Sequence, residues 1–250
     1  MPPICLHLGI AQEAARRLNR QEMIENLGVY LLGSTFPDVR IVTGTSREET
    51  HFFDLIEGEA HSSVRQFLKT HPDLGKVGQL SNATKAFVAG YLSHLLTDEV
   101  WIVDVYRPFF GGHSPLKDDP QANLLDRVLQ FELDLRERRN QDNMAHIRDY
   151  VCKADLAIEA SFVDAATLSQ WRDFVCLAAG REPSWERFHL FARRFLLPEN
   201  KLSPEHIQQI LNSVPELLQC ALENVGEERL ALFKSKSIAE SVRVAKEYLG

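Results

Sequence analysis

Phe87-Val88-Ala89-Gly90-Tyr91-Leu92-Ser93-His94-Leu95-Leu96-Thr97-Asp98-Glu99-Val100-Trp101 is the stretch whose reading decides the fold. Apolar side chains occur all round a helical period, so a helix here has no side suited to water and has to be covered on every face. Within it His94 and Asp98 are spaced i, i+4, which puts both side chains on one face with Cβ atoms roughly 6 Å apart. An unpaired buried charge is costly. A divalent metal satisfies an imidazole and a carboxylate together, which makes the pair a candidate metal site.

Working outward, helical periodicity dominates and strand alternation bounded by turn residues is nearly absent. The expectation is an all-α fold, a multi-helix bundle with the metal site between helices. Helices are expected near residues 9–19, 21–34, 57–70, 81–106, 120–140, 143–160, 164–179, 184–196, 203–224 and 235–248. Caps support several starts: Ser81, Asp164 and Ser184 can each accept a first-turn N–H, and Ser203-Pro204-Glu205 places proline at a first helical position. A single domain over 1–250 is expected, with the candidate ligands in 1–119 and a scaffold of amphipathic helices in 120–250. Two segments, 35–50 and 107–119, read as polar loops rich in Gly and Pro that carry Asp and His, and loops on a rigid scaffold are where chemistry sits.

The chain has 250 residues, 44% hydrophobic and 25% charged, with a formal charge of -7. That balance argues against a nucleic-acid duplex as partner, because such binding draws on clustered Lys and Arg. The basic stretches Arg16-Arg17, Arg136 to Arg139 and Arg193-Arg194 read as solvated helix faces. No apolar run reaches the ~18 residues of a membrane span and no signal peptide is evident, so a cytoplasmic protein is expected. Cys5, Cys152, Cys176 and Cys220 are isolated, with no Cys-x-x-Cys pair. They read as small core residues.

Five residues in the first hundred share metal-ligand chemistry: His7, Asp38, His51, His94 and Asp98. Imidazole and carboxylate donors together suit zinc, iron or manganese. The order of short motifs is an early His7-x2-Ile10-Ala11, then Leu31-Leu32-Gly33-Ser34-Thr35-Phe36-Pro37-Asp38, then Thr50-His51-Phe52, then Gly90-Tyr91-Leu92-Ser93-His94-Leu95-Leu96-Thr97-Asp98. This order, over roughly residues 5–101, resembles the zinc-dependent phospholipase C family, an all-helical fold related to zinc-dependent single-strand nucleases. The resemblance implies that Asp38, His51, His94 and Asp98 surround one metal, with His7 on a second metal bridged by Asp98. It also implies catalytic parts for Asp38 and Asp98. A pair of cations can clamp the attacking and leaving oxygens of a phosphoryl displacement.

The chain departs from the secreted phospholipases in lacking a further His and a His-x3-Glu pair after Asp98, so one or two zinc ions are expected rather than three. Asp104 and His113 are the nearest substitutes: Asp104 as support behind a ligand, as a second-metal ligand or as an ion pair to Arg107, and His113 as support behind a ligand or a second-metal ligand, as a lid or substrate contact, or as a solvent-facing turn residue. Glu48, Glu49 and Glu99 are possible general bases, with solvent exposure as their ordinary role. His61, His71, His146, His189 and His206 read as structural or surface, and Tyr91, Trp101, Tyr106, Phe109 and Phe110 as core or pocket wall. The leading expectation is a phosphoester or phosphodiester hydrolase using metal-activated water on a small soluble substrate. The alternatives are an iron or manganese enzyme of non-phosphate, biosynthetic chemistry, and a helical module with a structural metal.

Overall fold

The computed structural model describes residues 2–54, 59, 62–119, 121–191 and 203–250, and no strand occurs among them. The longer helices are α1 (Ile4–Leu18), α2 (Leu27–Gly33), α3 (Ser62–Thr70), α4 (Asn82–Trp101), α5 (Ala122–Arg139), α6 (Gln141–Cys152), α7 (Ala165–Ala179), α8 (Pro204–Val225) and α9 (Glu227–Leu249). The all-α class therefore holds. None of the described helices is long and apolar enough to cross a membrane.

Helix α4 is the axis of the molecule. Ser81 caps its start by accepting the Thr84 N–H at 3.2 Å, and every residue from Ala86 to Trp101 is buried. Helices α1, α2, α3 and α9 pack around it, as its all-round apolar surface requires. At the crossing with α2 the backbones nearly touch: a Cβ at Gly90 would collide with the Tyr30 carbonyl, and one at Gly33 with the Phe87 carbonyl. Only glycine permits that approach. Beyond Trp101 the helix continues as a π-helical turn, Ile102–Tyr106.

One core cluster joins α1, α2 and the first half of α4 to α6, α7 and the end of α9. A second fills the space between the other face of α1, the end of α4, and α5, α8 and α9. Tyr91 and Trp101 are buried in these clusters with Phe110, while Tyr106 and Phe109 are partly buried. The expected caps at Asp164 and Ser184 form, accepting N–H groups of Thr167 at 2.8 Å and Glu186 at 3.1 Å, and Pro204 opens α8.

Several expectations are corrected. Helix α6 stops at Cys152, and in the segment after it Leu156, Ile158 and Ala160 turn inward while Asp155, Ala157 and Glu159 are exposed. That is a period of two: these residues form an extended strap, held by the Glu159 N–H on Thr84 Oγ1 at 2.9 Å. Helix α1 starts five residues earlier than position 9, and α9 starts at Glu227, directly after Gly226 at φ 82. Segment 35–50 is not plain loop but holds the helical turns Phe36–Val39, Arg40–Thr43 and Glu48–His51. Of the cysteines only Cys5 is in the core; Cys152 and Cys176 are bridged with Cα atoms 5.8 Å apart, and Cys220 is exposed. Packing α6 on α7 brings together thiols that are far apart in the chain. Residues 57–58, 60–61, 120 and 192–196 of the expected helices, His61, the side chain of His206, and Arg193-Arg194 lie outside the described residues.

Candidate metal centre

Three neighbouring elements aim side chains at one point beside α4. Tyr91, His94 and Asp98 follow each other at i, i+3 and i+7, so they share a face of the helix. Helix α2 ends against that face at the Gly33–Gly90 crossing, which brings the Ser34 carbonyl to His94 Nδ1 at 2.9 Å. A carbonyl only accepts, so Nδ1 carries the proton and Nε2 presents a lone pair. The chain then turns through Phe36–Val39, where Pro37 leads Asp38 back toward α4.

His51 arrives from the turn Glu48–His51. Tyr91 Oη donates to the Thr50 carbonyl at 2.6 Å, tying that turn to α4. The Thr50 hydroxyl donates to the Arg47 carbonyl at 3.3 Å and sits 2.8 Å from His51 Nδ1. Its proton is thus engaged, His51 Nδ1 donates to it, and His51 Nε2 also faces inward as an acceptor. The next residue, Phe52, is left-handed at φ 55, a conformation that costs a side-chain-bearing residue roughly 1–2 kcal/mol. The reversal sends Phe52 into the packing with Phe67 and leaves His51 facing the site. His7 comes from the first turns of α1 and stacks on His94, ring centroids 3.8 Å apart and planes 10° from parallel.

Around Asp98 the atoms fall into two sets. Oδ2 lies 3.5 Å from His51 Nε2 and 3.6 Å from His94 Nε2. The two imidazole nitrogens are 3.4 Å apart, and Asp38 Oδ1 is 3.6 Å from His51 Nε2. On its other side, Asp98 Oδ1 faces His7 Nε2 at 3.4 Å. All five side chains are buried, and Asp38, at 8% exposure, is the one nearest the solvent. His7 Nε2 and both oxygens of Asp98 have no hydrogen-bond partner among the described residues. Buried polar atoms without partners are rare. Here they sit among two groups, His7, His94, Asp98 and Asp38, His51, His94, in each of which the donor atoms lie within 4.8 Å of one another, the chemistry and spacing that could hold an ion.

The electrostatics match. Burial alone would raise the Asp98 carboxyl, yet the surrounding imidazoles of His94, His7 and His51 bring it far below the usual carboxylate range. Asp38 is likewise held down, burial being outweighed by His51 and His94. Burial, then the neighbouring His7, pushes His94 down to about 3, so its imidazole stands neutral. Neutral imidazoles and ionised carboxylates are the forms that bind metals.

The five expected ligands are thus brought together, and other candidates are not. Asp104 lies on the π-helical turn, whose wider winding carries it to α9, where it accepts from Lys236 Nζ at 2.6 Å rather than pairing with Arg107. His113 is exposed on a turn, Glu48 and Glu49 are exposed, and Glu99 is buried but accepts the Ser63 N–H at 2.8 Å, capping α3. His71 packs among Phe52, Phe67 and Phe162. A surface groove of about 800 Å³ lined by Gln12, Arg16, Asn143 and Tyr150 includes none of the five.

One residue that sequence reading passed over joins the site. Arg47 places Nη2 3.8 Å from Asp98 Oδ2 while Nη1 donates to the Phe53 carbonyl at 2.7 Å. Its only sequence signal is position, four residues before His51 and so one helical turn away. No family model, curated protein or solved structure matches the chain.

Proposed function

We propose that the chain is a metal-dependent hydrolase of phosphoesters, with zinc held by Asp38, His51, His94 and Asp98, and with room for a second ion between Asp98 and His7. The observation that carries this reading is the convergence of buried polar side-chain atoms, His7 Nε2 and both Asp98 oxygens among them, that lack hydrogen-bond partners among the described residues. Ligand atoms bonded at about 2.0–2.1 Å to a tetrahedral zinc stand about 3.3 Å from one another, against about 2.9 Å around octahedral magnesium. The separations of 3.4 to 3.6 Å among His51, His94 and Asp98, and of 3.6 Å from Asp38 to His51, favour the former.

When bound, zinc supplies Lewis acidity and lowers the pKa of coordinated water to about 7. The protein's own part is positioning. Ser34 and Thr50 lock the tautomers of His94 and His51, Asp98 turns one oxygen to His7 and the other to His51 and His94, and Asp38 marks the side open to solvent. The Arg47 guanidinium adds positive charge at that centre, where charge develops on phosphoryl oxygens. The near-complete burial of the ligands favours a second reading, a purely structural metal, since closed sites hold structure while open ones do chemistry.

Protein purified without chelator should carry one to two equivalents of zinc, as elemental analysis would establish. It should hydrolyse p-nitrophenyl phosphate or bis-p-nitrophenyl phosphate, lose that activity to chelator and regain it with zinc. His94→Ala should abolish the rate. His189→Ala should leave it unchanged, because His189 bonds the Glu186 carbonyl at 2.8 Å and belongs to neither donor group among the described residues. Absence of metal uptake would refute both readings, and a loaded, folded, inactive protein would select the structural one.

A further inference from the structure

The Cys152–Cys176 bridge joins the end of α6 to the last turn of α7, across a sequence separation of 24. Cys152 is exposed and Cys176 is partly buried. Attack on a disulfide needs access to one of its sulfurs, and here the α6 end supplies it without any opening of the core.

What the bridge holds together lies against the metal centre. From α7, Trp171 Nε1 donates to Thr35 Oγ1 at 3.1 Å, both side chains being buried. Thr35 follows Ser34, whose carbonyl fixes the His94 tautomer, and precedes Asp38 by three residues. From the strap, the Phe162 ring packs edge-on against Phe36 and Tyr91 at centroid distances of 6.3 and 5.7 Å. Tyr91 in turn holds the Thr50 carbonyl beside His51. The strap and α7 thus back both of the turns that carry metal ligands, Phe36–Val39 and Glu48–His51. The strap has little else to keep it there. Among the described residues, the one hydrogen bond from residues 155–163 to another element is that of the Glu159 N–H to Thr84 Oγ1. Segments with few hydrogen bonds to their surroundings open at less cost than the helices around them, and a crosslink across their ends restricts the open chain more than the closed one.

We propose that the Cys152–Cys176 bridge is a redox switch on the metal centre: the disulfide keeps the strap and α7 closed on the two ligand-bearing turns, and reduction loosens them so that the metal leaves faster. The reductant is a dithiol. Its thiolate attacks the Cys152 sulfur, the S–S bond breaks with Cys176 leaving as thiolate, and the second thiol of the reductant then displaces Cys152. Two electrons and two protons pass to the cysteines, and the reductant ends as a disulfide. The switch rests on the metal-binding reading and holds equally for a catalytic or a structural ion.

The test is the rate of zinc release. Zinc-loaded full-length protein, either oxidised or reduced with dithiothreitol and desalted under nitrogen, is mixed with excess 4-(2-pyridylazo)resorcinol, whose colour reports the zinc it captures. Both forms should start with the same zinc content. The reduced form should release it roughly tenfold faster, a part of what a crosslink over such a loop contributes against global unfolding. Amide exchange should accelerate in the strap and in the Phe36–Val39 turn while α4 stays protected. The double variant Cys152→Ser with Cys176→Ser should release zinc at the reduced rate, with or without dithiol. The comparison of the two forms of wild-type protein needs no variant. Equal release rates, a bridge that dithiothreitol leaves intact in the folded protein, or a reduced chain that loses its helical circular dichroism as a whole would each overturn the switch and leave the metal reading standing. A chain that takes up zinc in neither form would overturn that reading and the switch with it.

Discussion

Asp134 caps the helix that carries His7: its Oδ1 accepts the Cys5 N–H at 2.7 Å and the Leu6 N–H at 3.2 Å, from a position 129 residues along the chain. Pro3 supplies no side-chain cap of its own, so helix α5 satisfies the orphan donors of α1. The same carboxylate binds Arg138 through Oδ2 at 2.6 Å. Arg138 is 12% exposed and thus departs from the solvated face expected of the Arg136 to Arg139 run. Asp134→Ala would remove the cap and leave the partly buried Arg138 guanidinium with the Ala178 carbonyl but without its carboxylate, costing about 3 kcal/mol. Asp134→Asn keeps an acceptor and should cost less. Urea unfolding would read both, and zinc titration should reveal weaker occupancy on the His7 side in Asp134→Ala. Identical unfolding midpoints for wild type and Asp134→Ala would show the capping to be energetically idle.

The Gly33–Gly90 crossing sets where the Ser34 carbonyl meets His94. A methyl group at Gly90 meets backbone, not a flexible side chain, so the helices have to move apart. Gly90→Ala should therefore destabilise by about 3 kcal/mol and also weaken zinc binding, because His94 loses the acceptor that fixes its tautomer. Chemical denaturation paired with zinc titration checks both effects. Loss of stability with zinc affinity intact would separate the crossing from the site.

How much of this could be read from sequence depended on distance along the chain. His94, Asp98 and Tyr91 are local to one helix, so their shared face follows from spacing alone. His7, Asp38 and His51 were accessible by residue type and motif order. Arg47 was not, because nothing in its spacing distinguishes it from the other arginines until the Glu48–His51 turn folds back on α4. Asp134 and the Cys152–Cys176 bridge depend on which helices pack together, and a periodic pattern does not carry that information. The strap after α6 was misread for a different reason: short apolar runs satisfy helical and extended periods about equally well.

Asp98 and Asp104 are six residues apart yet should behave differently. Asp98 turns one oxygen to His7 and the other to His51 and His94, so on the metal reading Asp98→Ala should lower zinc affinity by more than about 100-fold, beyond what loss of a supporting residue does. Asp104 pairs with a half-exposed Lys236 on the surface, and Asp104→Ala should leave zinc content alone and change stability by less than about 1 kcal/mol. Elemental analysis and thermal melts of the two variants provide the comparison. Equal losses of metal would contradict the assignment of Asp98 as the shared ligand.

The Cys152–Cys176 bridge closes a loop with a sequence separation of 24 and spans the strap between α6 and α7. A loop of that length restricts the unfolded chain by about 3 kcal/mol in the chain-entropy account. Because α6 packs on α2, which carries the approach to Ser34, the bridge lies one layer behind the metal centre. Reduction, or Cys152→Ser with Cys176→Ser, should lower the unfolding midpoint while zinc stoichiometry is preserved. Unchanged denaturation curves with and without reductant would show that the bridge contributes nothing to stability.

Acid should destabilise the metal-free protein, and His94 is where the loss begins. Its folded imidazole is pushed down to about 3, chiefly by burial and then by His7, whereas an unfolded histidine titrates near about 6.5. Between those values the unfolded chain binds a proton that the folded chain refuses. The stabilisation is complete above the unfolded value and falls as pH drops toward the folded one, by at most about 1.4 kcal/mol per pH unit. Asp38 and Asp98, both held below the usual carboxylate range, add to the loss where unfolded carboxylates protonate, below about pH 4.5. Urea midpoints of the chelated protein should therefore be flat above pH 7 and decline from pH 6.5 downward. In the His94→Gln variant the decline between pH 6.5 and 5 should be shallower, and what remains there comes from His71, whose imidazole burial also holds below its ordinary value. Zinc-loaded protein should start higher and fall more steeply over the same interval, since protons compete with the metal for the ring nitrogens. A decline between pH 6.5 and 5 of the same steepness in wild type and His94→Gln would show that His94 is not the neutral, buried imidazole on which the geometry of the site depends.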